Sequence, residues 1–291
     1  MVSDYQKHWG VEQWAAFLST QELPSMLRSK MLMTALEEDK GDGLSSKELA
    51  DIAHCDPFLC LRLLREAEKK RSRRLGHDTT TPLAAVLQLG VANFRELLAN
   101  SPEADAANAG LAACDARAVL AAQLAIHWGS ARSDIAPHEV GLAALLSETG
   151  ELLLWSFAPE LPQAALDALE AGRAARSADA QMETCGFRFR DLTLHCAHIW
   201  ELPQLLIQLI QGQDNVRANI SRLCVDTARH LASGPDDPAL PFDLAEAKRL
   251  IPQASISWLA AKLMGLDEEQ LETVIRKAEE IVAQPPTAEQ A

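Results

Sequence analysis

The stretch His138-Glu-Val-Gly-Leu-Ala-Ala-Leu-Leu-Ser-Glu-Thr-Gly-Glu-Leu-Leu-Leu-Trp155 decides how this chain is read. Small and apolar residues run through it at helical spacing and stop at a polar pair, Ser147 and Glu148, beside Gly150. Leu142, Leu145 and Leu146 fall on one face of a helix and predict that this face is buried. Ser147 and Glu148 are therefore expected at the inner end of that helix.

Composition agrees with a helical protein. The chain has 291 residues, 48% of them hydrophobic and 23% charged, enough for one large domain or two modest ones with a real core. Only 5% are aromatic, β-branched runs are scarce, and Ala and Leu are abundant, which favours helices. A net charge of −14 argues against wholesale binding of nucleic acid or anionic membranes. No continuous apolar run approaches the roughly 20 residues of a membrane span, and the first residues lack the apolar core of a signal peptide. The expected compartment is the cytoplasm. Six cysteines without a CxxC pair are expected to be reduced and mostly buried.

Taken in order, helices are predicted over Val11 to Ser19 and from Pro24, as a first-turn proline, to Glu37. Ser45 or Ser46 caps the next, with Glu48 near the capping-box position. Asp56 is read as the N-cap of a helix with Pro57 at its first position. Residues 101–110, rich in Ala and Asp, read as a linker or short lid before a helix from Leu111 to Trp128. Further helices are expected over Pro159 to Gly172, Ser177 to Cys185 with Ser177 as cap, Asp191 to Trp200, Val216 to Ala232, Phe242 to Leu250, Ser255 to Met264 and Asp267 to Val282. Residues 284–291 read as a disordered end. These elements group as an N-terminal lobe at 1–105, a helical core at 106–213 and a C-terminal extension at 214–283.

The run Leu44-Ser-Ser-Lys-Glu-Leu-Ala-Asp-Ile-Ala-His-Cys-Asp-Pro-Phe-Leu-Cys-Leu-Arg-Leu-Leu64 resembles the opening of the HDOD domain, the HD-related output domain. Thr81-Pro-Leu-Ala-Ala-Val-Leu-Gln-Leu-Gly90 is similar to the family's next helix, and Trp200-Glu-Leu-Pro203 to its Trp-x-Leu-Pro turn. The matches run from about Leu23 to Gln213. The resemblance implies an all-α bundle of two helical lobes and a role in bacterial signal transduction. It also has departures. Glu66-Ala-Glu-Lys-Lys-Arg-Ser-Arg-Arg74 stands where the family usually has Ala-Asn-Ser, and Phe189-Arg190-Asp191 lies near the place of an Asp-His pair.

The wider HD superfamily of metal phosphohydrolases places a metal-binding His-Asp pair where this chain has Ser147 and Glu148. A serine hydroxyl is a poor substitute for an imidazole ligand. The superfamily's first metal histidine lies near the start of the preceding helix, where this chain reads Asp115-Ala-Arg117, with His127 at the far end. Glu148, Asp191, His195 and His198 are the remaining metal candidates, the two histidines at i, i+3 spacing. The expectation is no metal, no cofactor and no phosphohydrolase activity, and instead a regulatory module that binds a protein or small ligand.

Two alternatives stay open: a residual HD-type phosphohydrolase, and a nucleotide or nucleic-acid binder using Arg65, Lys69, Lys70, Arg71, Arg73 and Arg74. That cluster sits in a near-neutral lobe. Residues 1–100 carry 13 Lys and Arg against 14 Asp and Glu, leaving 14 against 27 for the rest. An acidic partner is therefore expected at the cluster, while duplex DNA is not, because Leu59, Leu63 and Leu64 on the helix-turn-helix-like segment read as core. The C-terminal third is expected to pack back on the core or to form a homo-oligomer surface.

Overall fold

The computed structural model describes Ser3 and residues 5–41, 43–70 and 79–284. The described residues form helices, with one isolated bridge between Ser25 and Glu103, so the all-α expectation holds. The chain divides into two compact units, one of Met1–Val119 with Leu145–Ile207, the other of Leu120–Ala144 with Gln208–Ala291. These units divide the chain elsewhere than at 105 and 213. Residues 101–104 are no free linker, because Ser25 N–H donates to the Pro102 carbonyl at 2.8 Å and Ala104 N–H to the Ser25 carbonyl at 3.0 Å.

In the first unit, α1 (Val11–Ser19) carries Trp14 and Phe17 into a cluster with Trp9. The pairing of Ser25 keeps the backbone extended past Pro24, so α2 (Leu27–Lys40) starts three residues later than predicted. Ser45 and Glu48 close a capping box on α3 (Ser46–His54). Asp56 then opens α4 (Pro57–Lys70) by accepting from Leu59 N–H at 3.0 Å. Its other carboxylate oxygen accepts from Met26 N–H at 2.7 Å and from the Ser29 hydroxyl at 2.8 Å. One fully buried carboxylate thus caps two helices. Burial pushes this carboxyl upward, and the two backbone donors and the Ser29 hydroxyl pull the other way.

Thr81 caps α5 (Pro82–Leu89), and Gly90, at φ 83°, turns the chain into α6 (Val91–Ala99). Helix α7 (Ala109–Ser130) begins two residues before the predicted start, with Asn108 Oδ1 accepting from Leu111 N–H at 2.9 Å. Helix α8 (Pro137–Leu146) stops at the Ser147-Glu148 turn and α9 (Thr149–Phe157) resumes behind it. There follow α10 (Glu160–Glu170), α11 (Ser177–Cys185) and α12 (Phe189–Ile199). Ser177 is the first helical residue of α11, and Arg176 holds the cap place without a side-chain bond, which corrects the predicted cap. Helix α12 packs on both α1 and α9. Gly150 permits the second approach, since a Cβ there would lie 2.3 Å from the Phe189 carbonyl oxygen.

Two segments, Ala109–Ser130 and Pro137–Phe157, are long and apolar enough by average composition to cross a membrane, although neither contains the continuous apolar run whose absence the sequence shows. Alanine in the first and leucine in the second raise the average hydropathy, while polar residues interrupt both runs. Within the apolar windows, 44% and 78% of residues respectively are buried in the protein.

The second unit holds the end of α7, most of α8, and α13 (Gln204–Gln211) from Gln208 onward. Helices α14 (Val216–Ser233), α15 (Leu240–Leu250), α16 (Ile256–Ala260) and α17 (Glu268–Ala283) complete it. Asn215 and Asp267 cap α14 and α17. Helix α16 is shorter than the predicted Ser255 to Met264, because its end tightens into Ala261 and Leu263 turns before Gly265 at φ 88°. The core gathers Leu124, Trp128, Val140, Ile220, Leu244 and Leu259. Trp128 Nε1 donates to the Leu259 carbonyl at 2.9 Å. All six cysteines are free thiols, as expected. The predicted disordered end falls, from residue 285 on, outside the described residues.

Two measurements follow from these contacts. Asp56→Ala should cost about 3 kcal/mol, above the ~0.5–2 kcal/mol of one cap, because it frees the starts of two helices. Chemical denaturation checks this, with Asp56→Asn expected to lose less. The second concerns Asp243, which burial pushes up to about 6 while His230, 2.7 Å away, pulls it down. A carboxyl raised in the folded state contributes stability that is complete below the unfolded pKa and is lost as pH rises through about 6. Relative to Asp243→Asn, the protein should lose up to roughly 3 kcal/mol between pH 4 and pH 7, read from denaturation midpoints at each pH.

Candidate functional site

The Ser147-Glu148 turn is built from the end of α8 and the start of α9. Leu142, Leu145 and Leu146 are buried, as their spacing predicts. The Thr149 hydroxyl donates to the Leu146 carbonyl at 2.7 Å and so closes the end of α8. From α12, the Thr193 hydroxyl accepts Gly150 N–H at 2.9 Å and lies 3.2 Å from the Ser147 carbonyl. The turn is thereby pinned to α12, and Glu148 is left 3% exposed.

A buried carboxylate needs a cation, and α7 provides it. Arg117 places Nε 3.4 Å from Glu148 Oε2 and Nη2 2.7 Å from Glu151 Oε1. Glu151 also accepts from Trp155 Nε1 at 3.3 Å, and Cys114 Sγ lies 4.0 Å from Glu148 Oε2. Burial would lower the Arg117 pKa, but the charges of Glu148 and Glu151 outweigh it and hold the guanidinium above its ordinary value. Two residues earlier, Asp115 faces α2. It takes a two-pronged bond from Arg28, whose guanidinium also donates to the Cys55 carbonyl.

The residues present do not fit a metal. A divalent ion needs several imidazole, carboxylate or carbonyl ligands with lone pairs free to coordinate it, whereas the carboxylate at this turn faces a guanidinium. Asp191 is exposed in the first turn of α12, His195 is half-buried and His198 exposed on the same helix. His127 belongs to the second unit, stacked on Trp258 with ring centroids 3.9 Å apart and Nε2 3.1 Å from the Trp258 carbonyl. Among the described residues no three of His, Cys, Asp and Glu come together as a cation site. Sequence reasoning missed Arg117 as the partner of Glu148. The only signal was a charge of one sign on α7 and two of the other, one helical turn apart, on α9.

The predicted basic surface is only partly within the described residues: Arg71, Arg73 and Arg74 lie outside them. Arg65 is half-buried, its guanidinium 4.9 Å from the centre of the Trp200 ring. Lys69 pairs with Glu66 at 2.6 Å, and Lys70 is exposed. The described members therefore differ in role, with Arg65 turned to an aromatic face and Lys69 neutralised on its own helix.

Comparison with known proteins places this geometry. The HDOD domain matches residues 23–216. The response regulator MmoQ from Methylococcus capsulatus str. Bath, 22% identical, superimposes over 88% of this chain and 99% of its own with a TM-score of 0.62. A virulence factor from Campylobacter jejuni subsp. jejuni, 17% identical, does so over 96% and 100% with a TM-score of 0.69. At these identities the likeness is one of fold. No curated protein matches the sequence.

Removing one partner of a buried pair strands the other's charge. Arg117→Met should therefore destabilise the protein by about 3–5 kcal/mol, while Arg117→Met with Glu148→Leu and Glu151→Leu should recover most of the loss. Urea denaturation of the two variants checks the pair.

Proposed function

The chain belongs to the HDOD family, and from that premise we propose that it is a non-catalytic regulatory module of bacterial signal transduction. It works in the cytoplasm by binding a protein or small ligand. The observation that carries this reading is Arg117 against Glu148 and Glu151. Metal-assisted phosphoester hydrolysis needs an ion that polarises the phosphoryl group and generates a nucleophilic hydroxide. A guanidinium is a fixed charge with no coordination positions and no water to activate. The name response regulator, carried by the MmoQ protein, supports an output role for the same fold here.

The test is hydrolysis by the full chain of cyclic dinucleotides, nucleotides and simple phosphate esters, with Mg²⁺ or Mn²⁺ added. The expected result is no turnover above buffer. Hydrolysis that a chelator abolishes, that Mn²⁺ restores and that Glu148→Gln removes would overturn the reading in favour of a residual HD-type phosphohydrolase.

A further inference from the structure

A cleft of about 190 Å³ opens in the first unit where α4 passes the segment between α1 and α2. It is lined by Glu22 and Leu23 from that segment, by Arg62, Arg65 and Glu66 from α4, and by Leu97 from α6. Its size is that of roughly six waters at ~30 Å³ each, and it falls below the ~300 Å³ at which pockets begin to enclose whole small molecules. The cleft suits a side chain or a head group.

Two guanidiniums meet there with donors to spare. The Trp200 indole, fixed by its own bond to the Ser19 carbonyl at 3.2 Å, carries the Arg65 guanidinium over its ring, with the guanidinium carbon 4.9 Å from the ring centre. A cation–π contact at this distance occupies no acceptor and leaves guanidinium N–H groups for hydrogen bonds. Among the described residues Arg65 makes none. Arg62 donates from Nη1 to the Leu23 carbonyl at 2.6 Å, while its Nε is buried without an acceptor. Burial lowers the pKa of both side chains, a cost that a bound anion would reverse.

The rim decides which anion. Glu22 stands 3.8 Å from Arg62 and is 69% exposed, and Glu66 is held by Lys69. With Glu66 neutralised by Lys69, Arg62 and Arg65 stand against Glu22 alone, which leaves about one net positive charge, the amount that one carboxylate balances and that a phosphate dianion exceeds. A carboxylate also matches the planar fork of a guanidinium in a two-pronged bond. Leu23 and Leu97 offer apolar walls to the methylenes behind it.

We propose that this cleft receives the carboxylate of an acidic peptide segment of a partner protein, bound by the free edge of Arg65 with Arg62 beside it. The proposal rests on the reading of the chain as a binding module and names the chemistry of its partner.

The experiment follows the arginine Nε–Hε resonances of the full chain during titration with the pentapeptide acetyl-Gly-Leu-Glu-Leu-Gly-amide, with its Gln counterpart and with inorganic phosphate. The Glu peptide should shift Arg65 and Arg62 saturably. The Gln peptide and phosphate should each bind at least about tenfold more weakly, the loss of one charge-assisted pair. Arg65→Gln should weaken the Glu peptide by a similar factor. Leu97→Trp, which keeps both guanidiniums and fills the cleft, should abolish the shifts even where Arg65→Gln proves too unstable to titrate. Equal binding of Glu and Gln peptides, tighter binding of phosphate, or full binding by Leu97→Trp would overturn the proposal. Peptide binding by a protein that also hydrolyses phosphoesters would sink the non-catalytic reading alone. No peptide binding by a catalytically silent protein would sink the cleft alone.

Discussion

Burying Glu148 commits the first unit to supplying a cation in its interior, and Arg117 is that cation. The arrangement fixes more than one side chain. Arg117 also holds Glu151, so α9 is registered against α7 by two carboxylates one turn apart. Asp115, of opposite sign on the same turn of α7, takes Arg28 from α2. Arg28 in turn donates to the carbonyl of Cys55, next to the carboxylate that starts α2 and α4. A line of charges thus runs from α2 through α7 to α9. Buried pairs add little net stability compared with apolar packing, but breaking one strands a buried charge, so each of these pairings disfavours a shift of one helix against the other.

Local chemistry made much of this fold legible. Ser45 with Glu48, Asp56 with Pro57 and Asp267 each announce a helix start within four residues of chain, and each helix starts there. Pro24 failed as a start because Ser25 is claimed by Pro102 and Ala104, partners that no local pattern reveals. The same limit hid Arg117, whose Glu151 lies 34 residues away. Asp56 was half legible: its bond to Leu59 follows from sequence, whereas its bonds to Met26 and Ser29 need the fold.

The histidines show why spacing alone does not make a site. His195 and His198 lie one turn apart on α12, a spacing compatible with sharing an ion, yet the helix brings no third ligand to them among the described residues. His127 answers to Trp258, an aromatic partner from the other end of the chain. Arg65 is the opposite case. It was read as one of a run of cations, and its distinction comes from Trp200, which no charge pattern includes.

Trp200 has a consequence for how the protein is made. Its indole reaches back to Ser19 across 181 residues, and α1 lies along α12. Synthesis delivers α1 before α12, so the surface that covers it exists only after α12 has left the ribosome. Helices α14, α15, α16 and α17 pack on near neighbours in the chain and close over short loops, whereas the contact of α1 with α12 must close a long one. A helix made before α12 therefore waits for α12 to be sheltered. Until then Trp9, Trp14 and Phe17 form an aromatic surface without that cover on the nascent chain, the kind of surface that makes incompletely folded chains prone to aggregate.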